Sequence, residues 1–180
     1  MENEKVFIDS LLNPSTQQTA FKKLVQDYQK PLYYHIRTIV LNHDDTDDVL
    51  QNTFIKVFRN LNGFKGDSKL FSWIYRIATN EAITFIQQRA KTNHVSSEAY
   101  LQQKVEKLHA DVYFEGDEIQ YKLQKAIAKL PEKQQLVFKM RYFEEIKYEE
   151  LAVLLATSVG ALKASYHIAT KKIEEYLKED

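Results

Sequence analysis

The chain has 180 residues, 44% of them hydrophobic, enough to bury one core or two small ones and too many for disorder throughout. Lys and Arg number 25, as do Asp and Glu, so a nucleic-acid surface must come from local segregation of charge and net charge neither supports nor excludes DNA. There is no cysteine, which excludes disulfides and thiolate metal sites, and the five histidines (His35, His43, His94, His109 and His167) are too scattered for a ligand set, so neither metal nor cofactor is expected.

The opening MENEKVFIDSLLNPS is too acidic, and its apolar run too short, for a signal peptide. No stretch approaches the roughly 18 apolar residues of a membrane span, and a cytoplasmic location is expected. Four glycines and three prolines, with no alternating β-branched runs, predict an all-α chain joined by short loops.

From Thr16 to Tyr28, Ala20, Phe21, Leu24, Val25 and Tyr28 follow helical spacing, and Pro31 is placed to open a second helix carrying Leu32, Ile36, Ile39 and Val40. A third helix starts with Asp44 or Asp45 as cap, puts Leu50, Phe54, Val57, Phe58 and Leu61 on one face, and stops at Gly63 and Gly66. Asp44, Asp45, Asp47 and Asp48 are more carboxylates than a cap requires. Its outward face, Asp48, Gln51, Asn52, Ile55 and Arg59, sets an isoleucine among polar groups, which suits contact with another protein.

Asp67 or Ser68 can cap a fourth helix with the apolar stripe Phe71, Ile74, Ala78, Ala82 and Phe85. Its other side, Ser72, Arg76, Thr79, Asn80 and Gln87, is polar but mostly uncharged and lies beside Phe71, Trp73 and Tyr75. Neutral donors and acceptors next to aromatic rings suit unstacked single-stranded bases, although Phe71 itself is expected in the core. Residues 91–117 lose this periodicity, apart from a short helix near Tyr100 to Leu108, and are expected to form a flexible linker.

The second half predicts a helix around Glu118 to Leu130, another after Pro131, and then Tyr148 to Ala156, the turn Thr157-Ser158 and a last helix from Val159 to about Leu177. That spacing fits a helix-turn-helix, whose second helix can enter a major groove. The last helix should bury Val159, Leu162, Tyr166, Ala169, Ile173 and Leu177 and turn Gly160, Ala161, Ala164, Ile168 and Lys171 outward. Small side chains at its start, after Ser158, would let the backbone approach base edges, and alanine methyls can pack on thymine methyls. Lys163, His167, Lys171 and Lys172 flank this face and could meet phosphates, though lysines on a solvated helix need no such role. No phosphate loop, nucleophile-base pair or His-x-x-x-His is present, so no catalytic residue is expected and the chain is not read as an enzyme.

Taken in order, these segments resemble the extracytoplasmic-function sigma factors, the minimal two-domain members of the bacterial sigma family, over about Phe21 to Leu177. DDTDDVLQNTFIKVF is similar to the helix that docks on core RNA polymerase, and FKGDSKLFSWIYRIATNEAI to the segment that melts and reads the minus-ten element. LPEKQQLVFKMRY followed by YEELAVLLATSVGALKASYHIA is similar to the minus-thirty-five-binding domain. The resemblance implies two helical domains, 1–92 as region 2 and 118–180 as region 4 with its helix-turn-helix, joined by the linker 93–117.

It further implies core polymerase, promoter DNA and an anti-sigma factor as partners. Asp48, Gln51, Asn52 and Ile55 would contact the β′ clamp helices, and region 4 the β flap. The loop Lys65, Gly66, Asp67, Ser68 and Lys69, with Trp73, Arg76 and Asn80, would capture an extruded base. Residues 91–117, with Glu115, Asp117 and Glu118, would thread toward the polymerase cleft. The sequence departs from the family pattern at Ala156, where a glycine is usual; a left-handed cap there would cost alanine about 1 kcal/mol, so a different cap geometry is expected. It departs again at Ser165, Ile168 and Thr170, where arginines are frequent. Two other readings stay open on the residues alone: a helix-turn-helix regulator that binds duplex DNA without polymerase, and a helical adaptor that binds only protein.

Overall fold

The structure, a computed structural model, describes residues 2–66, 68–108 and 118–179. Its first helix, α1 (Glu2–Leu12), lies ahead of the segments in which the sequence pattern predicted helices and anchors itself through fully buried Leu11. Helix α2 (Gln17–Val40) runs unbroken through Pro31, where a helix boundary was expected. Proline removes one hydrogen bond and crowds the preceding turn. Leu24, Leu32 and Ile36 are nevertheless all buried, and packing on both sides of the proline keeps the axis continuous.

Helix α3 (His43–Asn60) is capped by Asn42, whose Oδ1 accepts from the Asp45 N–H at 2.9 Å, so neither expected aspartate is the cap. Its buried side is Thr46, Val49, Thr53 and Val57, whereas Phe58 is exposed and sets its ring edge-on to Phe21 at 4.9 Å. A short 3-10 turn over 61–63 buries Leu61 and ends the helix.

Helix α4 (Leu70–Thr92) buries Ile74, Ala78 and Ala82 as the stripe requires, while Phe71 and Phe85 are half-buried. Asp67 lies outside the described residues, and Ser68 makes no cap: the Leu70 N–H donates to Glu4 Oε1 of α1 at 3.0 Å. The polar side differs from expectation, because Ser72 and Thr79 are buried with Tyr75. Helix α5 (Ser97–Glu106) falls within the interval 93–117 and starts before the expected Tyr100; Ser96 Oγ caps it, and Tyr100, Leu101 and Val105 are buried. His109, Glu115 and Asp117 lie outside the described residues.

Helices α6 (Glu118–Ala128) and α7 (Glu132–Tyr142), with Pro131 between them, are followed by α8 (Tyr148–Leu154) and α9 (Val159–Glu179). On α9, Leu162, Ala169 and Ile173 are buried, but Leu177 is exposed and Tyr176 packs in its place. One apolar cluster runs from Leu24, Ile36 and Ile74 of the first half into Leu136, Met140 and Leu151 of the second. A smaller one, with Ile127, Leu130, Phe138 and Ile173, closes the second half on itself. Both halves therefore share a core across their contact.

Candidate nucleic-acid and protein interfaces

Helices α8 and α9 meet at 103°, the steep crossing a helix-turn-helix needs. The turn between them corrects the expectation for Ala156, which has φ 48 and is left-handed after all. The Thr157 N–H donates to Ala152 O at 3.1 Å, a bond reaching back five residues that closes the same left-handed C-terminal cap a glycine would make. Ser158 opens α9, its Oγ accepting from the Ala161 N–H at 3.1 Å, so its hydroxyl serves the helix start.

Gly160, Ala161, Lys163, Ala164, His167 and Lys171 are all exposed along α9, together with Ile168. A Cβ built on Gly160 would meet nothing within 4 Å, so the backbone there is open to an incoming surface. The Lys163 ammonium and the Arg141 guanidinium lie 5.7 and 5.2 Å from the Tyr148 ring centre, a cation-lined shoulder beside the small-residue face. Lys172 turns away and reaches Gln134 Oε1 at 3.3 Å.

In the loop before α4, Lys65 and Gly66 are exposed, Ser68 is half-buried, and Gly66 has φ 76, the left-handed region that favours glycine. Trp73 is half-buried with its ring 5.1 Å from Phe64, while Arg76 and Asn80 are exposed on the adjoining surface. Helix α1 closes the other side, leaving an open cleft of about 640 Å³ lined by Glu4, Asp9, Phe64, Lys65 and Lys69. Lys69 is engaged already: its Nζ is 3.3 Å from Glu150 Oε1 of α8.

Asp48, Gln51, Asn52, Ile55 and Arg59 all project from one exposed face of α3. Asp45 differs from its neighbours. It is largely buried, with Lys104 Nζ at 2.6 Å and Arg89 at 3.6 Å, which accounts for one carboxylate beyond the cap. Periodicity also gave no sign of His35, which is fully buried, with Nδ1 2.8 Å from Glu144 and Nε2 2.8 Å from Thr79 Oγ1. Beside it, burial and then the Glu144 charge push the Tyr75 phenol well above its ordinary range. Only the approach of two segments far apart in sequence creates that site.

The sigma-70 region 2 family model matches residues 24–92, and that of sigma-70 region 4 matches residues 120–173. The RNA polymerase sigma-H factor of Pseudomonas aeruginosa is 31% identical over 168 residues, spanning 88% of this chain and 86% of the relative. The ECF RNA polymerase sigma factor SigW of Bacillus subtilis is 26% identical over 170 residues, 90% of this chain and 91% of its own. Among solved structures, CnrH in complex with the cytosolic domain of CnrY shares the fold with a TM-score of 0.69 at 19% identity, over 98% of each chain. The sigma factor RpoE bound to the anti-sigma factor NepR, from Bartonella quintana, gives 0.64 at 20% identity over 89% of this chain and 98% of that one.

Proposed function

The chain belongs to the extracytoplasmic-function sigma factors, and on that premise we propose how its surfaces divide the work. It directs core RNA polymerase to promoters for transcription initiation; it is not an enzyme, and the polymerase supplies the chemistry.

Residues 1–92 act as region 2, 93–117 as the connection and 118–180 as region 4. Asp48, Gln51, Asn52 and Ile55 dock on the β′ clamp helices, a role supported by their common exposed face around an isoleucine. The loop 65–69, with Trp73, Arg76 and Asn80, holds an unstacked minus-ten base against the aromatic pair Phe64–Trp73. Region 4 meets the β flap, and the start of α9 from Ser158 to Lys171 enters the minus-thirty-five major groove.

The observation that carries the minus-thirty-five reading is the open backbone at Gly160 between Ala161 and Ala164, flanked by Lys163, His167 and Lys171. Such a face reads thymine methyls and groove shape, with phosphate contacts from the flanks. The protein works in the cytoplasm beside the polymerase. An anti-sigma factor holds it in reserve, as the complexes of the two structural neighbours suggest.

Run-off transcription with bacterial core polymerase over a library of random promoters, with and without the protein, tests this. A shared two-part motif appearing only in its presence, with a T-rich upstream element, is the expected result. A guanine-dominated upstream element overturns the methyl reading.

A further inference from the structure

Helix α1 lies ahead of the segment that matches sigma-70 region 2, yet it holds the chain on both sides of the loop 65–69. Before the loop it packs against the 3-10 turn over 61–63. After the loop, Glu4 Oε1 accepts from the Leu70 N–H at 3.0 Å, across 66 residues of chain. Burial fixes the same two places, through Leu61 and Phe64 on one side and Leu70 on the other, while Lys65, Gly66 and Lys69 between them are exposed.

Glu4 supplies what the start of α4 lacks. The first N–H groups of a helix have no partner within it, and a carboxylate at that end is favoured by the helix dipole as well. Lys69 stands at the N-cap without a side-chain hydrogen bond, and the first turn of α4 carries no acidic residue. Serine is a residue type that caps helices well, but Ser68 leaves the task to Glu4: among the described residues its hydroxyl makes no hydrogen bond.

The carboxylate is held in place by packing. Leu11 is buried, Phe7 and Ile8 pack on the main core, and the far end of α1 is closed by Gln17 Nε2 donating to Leu11 O at 3.0 Å and Thr16 Oγ1 donating to Ser10 O at 2.8 Å. Its charge is felt on α2 too, where burial, and then Glu4 and Asp27, raise the Tyr28 phenol above its ordinary value. The cleft between α1 and the loop stays open beside Lys65 and Ser68, so Glu4 fixes the helix start without covering the loop.

We propose that Glu4 is a positioning residue for minus-ten reading: it caps α4 from α1, fixes the end of the loop 65–69, and leaves the Ser68 hydroxyl and the Lys65 ammonium for the extruded base and its phosphate. Glu4 itself touches no DNA. The hydrogen bond is a feature of the fold; its consequence for the strand rests on the role given above to the loop.

Run-off transcription from the random-promoter library, with core polymerase and the full-length protein, reads the effect as the ratio of favoured to disfavoured bases in the downstream element. Glu4→Ala removes the acceptor and is expected to lower that ratio about fivefold, with the upstream motif and core binding as in wild type. Glu4→Gln keeps an acceptor at the same reach and should stay within about twofold of wild type. Glu4→Asp keeps the charge but is one methylene short, and should fall with Glu4→Ala; both carboxylates suit the first turn of α1, so that helix is not the cause. A cap that served stability alone would lower transcription from all promoters together and leave the ratio unchanged, a result that overturns the proposal. So does a Glu4→Gln ratio as low as that of Glu4→Ala, or a ratio that rises when the carboxylate is lost. If Glu4→Ala does not fold, Glu4→Gln and Glu4→Asp decide, and equal ratios overturn it. Lys65→Ala and Asn80→Ala test the loop itself. If they flatten the downstream preference and Glu4→Ala does not, the loop keeps its role and Glu4 loses its own; if neither flattens it, the loop reading falls and the proposal with it.

Discussion

Lys104 Nζ sits 2.6 Å from Asp45 Oδ2, and this contact pins α5 across the N-terminus of α3. Burial lowers the Lys104 ammonium, but the hydrogen bond and charge of Asp45 outweigh it and hold the group above its ordinary value. Because the folded-state value is raised, the contribution is fully present at neutral pH and is lost only as the pH climbs past the ordinary lysine range. Asp45→Asn should cost about 1–2 kcal/mol at pH 7, with hydrogen exchange accelerated first in 97–106.

Ala156→Gly should stabilise the protein by about 1 kcal/mol, because φ 48 is left-handed and strained for alanine. Chemical denaturation measures it. A loss of stability would mean that the turn is held in some other way.

Lys139→Met should stabilise the protein by a few kcal/mol at pH 7, with the gain shrinking toward pH 10. The amine titrates at about 7 when folded and near 10.5 when unfolded, so the unfolded chain binds the extra proton across that window and wild-type stability rises with pH through it. Lys139 lines a narrow cavity together with Glu132 and Ser97, and the variant leaves both of these in place. Denaturation midpoints of the two proteins, measured from pH 6.5 to 9.5, should converge.

Gly160→Ala should raise helix stability by about 0.5–1 kcal/mol, since the added methyl meets nothing. It should also weaken use of the minus-thirty-five element if the backbone approaches base edges there. Melting temperature and promoter-dependent transcription, taken together, separate the two effects.

Ile55→Glu should leave stability within about 0.5 kcal/mol, because the side chain is exposed, and weaken core-polymerase binding by about tenfold or more. Competition against a labelled sigma factor for core enzyme measures it.

The sequence by itself determined most helices after α1, much of their inward stripes and the exposed faces of α3 and α9, since a 3.6-residue period is a local property. Leu162, Ala169 and Ile173 face inward, and Asp48, Asn52 and Ile55 outward, as spacing alone requires. Only the tertiary structure decided what depends on a distant partner. Pro31 stays inside α2 because packing on both sides outweighs one lost hydrogen bond. Ser72 and Thr79, polar residues at outward positions, are buried, and Glu144 finds His35 across 109 residues of chain. Helical periodicity separates one side of a helix from the other; whether the polar side meets water or a second domain is settled by long-range packing, which no local pattern contains.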